Sequence, residues 1–331
     1  MNVPTISTKL TEVLRCRYPI ICAGMGGPAR SELAAAVSNA GGFGQMGMIR
    51  ETPELIGREI AALRRRTNQS FAVNLVPAVT KPDLFLAARV PAMCFFWDVV
   101  PEAIAAAKQA GCLVLYQVGN ADAAFQAEAA GADIIIAQGV EAGGHVHGRL
   151  PLTALLGQLA GRLKVPLVAS GGIASGRGLA AALSLGAVGV QCGTAFLVAE
   201  ESFAHPYHKQ RIVEAKAADT VHTDLFAINW PIDSPVRVLR NSVVEEAGGK
   251  LWGHDPDAMP RQVIAHDSGA PMHKWDTNSP LRTTTGDLEA MALYAGTGCG
   301  EITAIRPAAE IVADMMRDAT ATLSCLAARI G

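Results

Sequence analysis

The sequence has no apolar run long enough to cross a bilayer; its longest hydrophobic stretches are strand-sized, which excludes a membrane-spanning helix. It has no excess of either charge. Lys and Arg total 28 against 30 Asp and Glu, a net charge of −2, so no basic field exists to hold nucleic acid or anionic lipid. The first residues, MNVPTISTKL, lack the apolar core of a signal peptide. The seven cysteines (Cys16, Cys22, Cys94, Cys112, Cys192, Cys299 and Cys325) are scattered, odd in number and without CxxC spacing. That pattern reads as reduced thiols of a cytoplasmic protein, not as a disulfide framework or a zinc site.

Hydrophobic residues make up 50% of the 331, enough for a large core. From Tyr18 to about Phe196 short apolar strands alternate with alanine-rich helical stretches. The strands read as Pro19–Ala23, Gly42–Met46, Phe71–Leu75, Ala92–Phe96, Leu113–Gln117, Asp133–Ala137, Pro166–Ala169 and Val188–Cys192. Proline opens several helices, where its missing N–H is no loss, and glycine closes several. Continuous apolar strands separated by helices indicate a parallel sheet covered on both faces. Eight of them fit a closed (β/α)8 TIM barrel. The expected division is a barrel over 1–205, an inserted, mostly helical or irregular substrate or lid domain over 206–286, and a return segment with a final helix over 287–331.

In such a barrel the active site lies at the carboxyl ends of the strands, and the polar, glycine-rich segments fall there repeatedly. Gly24 and Met25 follow strand one, Asn74 ends strand three and Gln117 ends strand five. Strand six leads through Gln138 into Gly143, Gly144 and His145. Glycine lets a flat ligand approach the backbone, and histidine exchanges a proton near neutral pH. After strands seven and eight come Ser170-Gly171-Gly172 and Gln191-Cys192-Gly193-Thr194, where barrels of this kind build a phosphate site from backbone N–H groups.

Other residues read more modestly. Glu141 suits a salt bridge or a helix cap. Cys192 suits packing, since no positive partner adjoins it in sequence. His147 lacks further ligands at metal-binding spacing, so no metal is expected. Trp97 and Asp98 are placed to shape the pocket wall. Arg237 and Arg240 are the arginines that could reach a carboxylate.

Taken together, PIICAGMGG, FAVNL, AQGVEAGGH, VPLVASGGIASGRGLAAALSLGAVGVQCGTAF, VRVLRNS and GDLEAMALYAGTGCG resemble the nitronate monooxygenase family, once called 2-nitropropane dioxygenases. The resemblance implies an FMN-dependent barrel with FMN held by Gly24, Met25, Asn74, Gln138, Gly143, the Ser170–Gly172 turn and Gln191–Thr194, and with His145 at the catalytic histidine. It implies a small-molecule substrate, alkyl nitronates or nitroalkanes, and O2, giving carbonyl compounds and nitrite. It is weakest over 206–286, where the aromatics Phe226 and Trp230, with Tyr294 from the return segment, are expected to exclude water and select substrate. Gln117 stands where a quinone-reductase branch of the superfamily has lysine. An NAD(P)H-dependent enoyl-thioester or quinone reductase, and a non-redox barrel binding a phosphorylated ligand, are the rival readings. The insertion suits a homodimer contact as well as a lid.

Overall fold

The computed structural model describes residues 3–329. Eight parallel strands alternate with helices: β1 (Ile20–Cys22), β2 (Gly44–Gly47), β3 (Phe71–Leu75), β4 (Ala92–Phe96), β5 (Leu113–Val118), β6 (Ile134–Gln138), β7 (Leu167–Ser170) and β8 (Val190–Cys192). Their order around the sheet is β1-β8-β7-β6-β5-β4-β3-β2. A parallel bridge between Ile21 and Phe43 closes the cylinder, through Cys22 N–H to the Phe43 carbonyl and Phe43 N–H to the Ile20 carbonyl, both 2.9 Å. The expected TIM barrel is therefore present, and each strand lies within two residues of its sequence-based bounds.

The strands are buried along nearly their whole length, because helices cover the outside and side chains fill the inside. The helices start and stop for local reasons. Helix α1 (Lys9–Leu14) precedes the barrel. Helix α2 (Ser31–Asn39) follows β1; α3 (Pro53–Arg66) opens on proline behind Thr52, whose hydroxyl accepts from Leu55 N–H. Helix α4 (Asp83–Ala87) is a short one behind Pro82, and α5 (Pro101–Gln109) ends before Gly111, at φ +77°. Asn120 caps α6 (Ala121–Ala129) by accepting from Ala123 N–H at 2.8 Å. Helices α7 (Leu152–Leu159) and α8 (Gly176–Ser184) complete the repeats before a four-residue turn of helix, α9 (Thr194–Leu197).

The segment after the barrel differs from its expected texture. It holds helices α10 (Pro206–Glu214) and α11 (Ser242–Glu246), but also two small antiparallel sheets that periodicity did not suggest. In one, β9 (Thr220–Thr223) pairs with β10 (Val236–Leu239), and β10 pairs in turn with Gly144 and His145 of the barrel. In the other, β11 (Val263–Asp267) lies between β12 (Ala270–His273) and β13 (Thr284–Gly286). These strands are short and two-sided, so no clean alternation marks them. The final helix, α12 (Ala308–Ala327), packs its Ile311, Val312, Met315, Met316 and Ala319 face on the barrel wall beside α8 and α2. No helix among the described residues is long and apolar enough to cross a membrane.

Candidate active site

A cavity of about 380 Å³ opens at the carboxyl ends of the barrel strands, within the range of small-molecule sites. The fold brings to it Gly24, Met25, Asn74, Gln117, Gln138, Gly143, Gly144, His145, Ser170, Gly171, Gly172, Gln191, Gly193 and Thr194, together with Trp230 and Tyr294. One expected member is missing. Cys192 does not line the cavity; its side chain is buried outside it. The period of two turns it away from Gln191, and burial pushes its thiol up to about 12, as befits a packing residue. Phe226 is a second correction. It is fully buried in a separate cluster with Val221, Val236 and Val238 and lines no part of the cavity.

His145 is held from three sides. Its carbonyl accepts from Gln138 Nε2 at 2.9 Å, and Gln138 Oε1 accepts from His147 N–H at 3.2 Å. Each end of the Gln138 amide thus makes one bond to the loop, so Gln138 positions the histidine backbone while also lining the cavity. The residue pairs with Val236 of β10. At the start of the loop, Arg237 donates to the Val140 carbonyl through Nε and Nη2 at 3.0 and 2.8 Å. Neither Arg237 nor Arg240, which pairs with Glu245, lines the cavity. Gly143 is required by close approach: a Cβ there would sit 2.4 Å from the Gly296 nitrogen. Glu141 caps α7, accepting from Leu152 N–H at 3.0 and 3.1 Å, as its position suggested.

The imidazole of His145 stacks on the Trp230 indole, centroids 3.8 Å apart and planes at 16°. His145 Nδ1 and Trp230 Nε1 are both covered and without a partner. The histidine lines the cavity and is half-buried. Burial first, and then the nearby Arg50 guanidinium, push its pKa down to about 3, against a smaller opposing contact from the Ser234 backbone. Both causes favour the neutral ring. Tyr294 donates its hydroxyl to the Thr277 carbonyl at 2.6 Å, and burial raises its pKa. Trp97 stands 4.6 Å from the His147 ring and Asp98 lies 3.6 Å from His147 Nε2. Both act behind the site; Phe96 supplies the wall instead.

Several cavity residues had no distinguishing sequence signal. Arg50 stands at the mouth, donating to the Asn229 carbonyl and to Thr277 Oγ1, with its guanidinium 5.3 Å over the Trp230 ring. Arg30, Glu51, Thr277 and Asn278 also line it. Gln45 lies just beneath, and a polar residue inside an apolar strand was the signal that could have marked it.

Comparison with known proteins places the chain in a family. The sequence pattern of the family described as nitronate monooxygenase matches residues 7–85 and 76–318. A probable nitronate monooxygenase of Bacillus subtilis is 37% identical over 63% of this chain and 74% of its own length. One from Staphylococcus aureus is 31% identical over 84% of this chain and 93% of its own. Among solved structures, FabK from Thermotoga maritima superposes with a TM-score of 0.84 at 30% identity, covering 98% of this chain and all of its own. Nitroalkane oxidase from Streptomyces ansochromogenes gives 0.77 at 29%, covering 96% and 100%. With the glycine loops and His145 gathered at one barrel mouth, and relatives of this name matching most of its length, the chain is an oxidoreductase that belongs to the nitronate monooxygenase family.

Proposed function

We propose that the chain is an FMN-dependent nitronate monooxygenase, oxidising alkyl nitronates and nitroalkanes with O2 to carbonyl compounds and nitrite. The observation that carries this reading is a histidine, fixed by Gln138 and β10, that lines a cavity ringed by glycine loops at the barrel mouth.

The residues present fit FMN. Gly171 and Gly172 have φ +116° and +70°, backbone that side-chain-bearing residues rarely adopt, and they follow the strand paired with the one that leads into Gly193 and Thr194. This small-residue cradle suits a phosphate. Asn74 and Gln117 bring amides to the cavity for a flat polar ring, with Gln191 lining it behind Gln117. When bound, FMN supplies an electron acceptor that O2 returns to its oxidised form.

The chain's own residues do the rest. A neutral imidazole can take the α-proton of a neutral nitroalkane; its lowered pKa keeps it unprotonated down to acid pH but weakens it as a base, so the transfer leans on close positioning and on stabilisation of the anion that forms. A neutral histidine does not supply positive charge for the resulting anion. That task falls to Arg50 at the mouth. Trp230 covers one face of the imidazole and excludes water there. The insertion over 206–286, which contributes Trp230 and Thr277, is the element that selects substrate.

Two measurements test this. Purified protein should be yellow, and anaerobic addition of ethyl nitronate should bleach it while NADPH does not. Bleaching by NADPH alone would instead support a reductase on the same barrel. His145→Asn should lower turnover of nitroethane by roughly 10²–10⁴-fold with FMN content intact. Near-normal turnover would remove His145 from the role.

A further inference from the structure

Three glutamines cross the barrel lumen from β2 to β5. Gln45 Nε2 donates to Gln191 Oε1 at 2.8 Å, and Gln191 Nε2 donates to Gln117 Oε1 at 2.5 Å. Gln191 Nε2 also approaches Ser170 Oγ at 3.5 Å. All three are more than nine-tenths buried, and Gln45 is wholly so. Gln117 and Gln191 line the cavity; Gln45 does not.

An amide has one donor end and one acceptor end. The Gln117 carbonyl points to Gln191, and the NH2, at the opposite end of the amide and with both hydrogens unused within the relay, is the end left to turn toward the cavity. The direction of the relay therefore decides whether the cavity meets a donor or an acceptor at this point. The far end sets that direction. Gln45 Oε1 is buried with no partner. Reversing all three amides would strand the Gln45 NH2 there instead, and an orphaned donor is rarer in proteins than an orphaned carbonyl.

We propose that Gln45 is a positioning residue. Through Gln191 it holds Gln117 with its N–H toward the bound ligand, where it donates to an acceptor atom of the flavin ring. This rests on the FMN reading above. The ring gains electron density on reduction, so a fixed donor favours the reduced form, and the low-dielectric surroundings strengthen that preference.

The test is the midpoint potential of the FMN-loaded protein, measured by anaerobic dye equilibration, with FMN affinity measured in parallel. Gln45→Leu keeps the volume and frees Gln191 to turn. Gln45→Glu, ionised, cannot donate to Gln191 Oε1 and so reverses the relay. Each should weaken the preference for the reduced form by about tenfold, roughly 30 mV for a two-electron couple, with Gln45→Glu the larger. If the Glu variant does not fold, Gln45→Leu alone decides. In a Gln117→Leu background the Gln45→Leu effect should vanish, since residues acting through one network are non-additive. An unchanged potential in a folded, FMN-bound Gln45→Leu protein overturns the proposal and leaves the proposed function standing. So does an equal shift with and without Gln117. A protein that takes up no FMN overturns both.

Discussion

Replacing Trp230 by alanine should give His145 an acid limb that the native enzyme lacks. The indole lies flat on the imidazole at 3.8 Å, and burial is the larger cause of the depressed pKa, Arg50 the smaller. With a pKa of about 3, essentially every imidazole is neutral at pH 5.5, about two pH units or more above it. Water admitted to the exposed face lets the ring return toward its ordinary value near 6.5. Then only about one ring in ten is neutral at about pH 5.5. In the variant, kcat/KM for nitroethane should fall about tenfold between about pH 7 and 5.5; in the native enzyme it should stay flat. Loss of the buried indole should cost about 3–5 kcal/mol, so unfolding is followed alongside. Trp230→Phe keeps an aromatic cover and should stay flat. A folded, FMN-bound alanine variant with no acid limb, or a native enzyme with a limb near pH 6.5, would refute desolvation as the cause.

Arg50→Met should raise KM for ethyl nitronate by about 10- to 100-fold, the loss of one charge-assisted hydrogen bond, and affect neutral nitroethane less; steady-state kinetics on both substrates checks it. Gln138→Leu strands the His145 carbonyl and the His147 N–H, and should lower kcat about tenfold or more while FMN content holds. Lys209 donates to the carbonyls of Ala199, Glu200 and Ser202 at 2.6, 3.3 and 2.9 Å. Lys209→Met should therefore destabilise the fold by about 2–3 kcal/mol, read from the urea midpoint. Burial holds His145 at about 3, and His208 and His222 at about 4. The unfolded chain binds more protons below its ordinary pKa near 6.5, so stability should fall as pH drops from about 6.5 toward 4. A thermal midpoint that does not fall over that window would contradict the burial of these rings.

The barrel was legible because its determinants are local. Continuous apolar strands such as Phe71–Leu75 and Ala92–Phe96, recovered residue for residue, and helices opened by Pro53 and Pro101 repeat a pattern that only a covered parallel sheet satisfies. Strand ends are fixed by strand positions, so the polar residues gathered at the mouth could be named in advance, His145 among them. The Cys192 error shows the limit: neighbouring residues on a strand face opposite ways, and the sequence does not say where a ligand's reach ends.

The sequence by itself determined the cylinder, the end that bears the site and the glycine loops that leave it open. Only the tertiary structure decided the protonation state of His145, because that depends on an indole 85 residues further along the chain laid over its face. The same holds for the pairing of β10 with the histidine loop, for Arg50 at the mouth and for the amide relay from Gln45 to Gln117. Burial and the polarity of a hydrogen-bond chain belong to neighbours in space, and nothing in the order of residues 45, 117 and 191 announces that they meet.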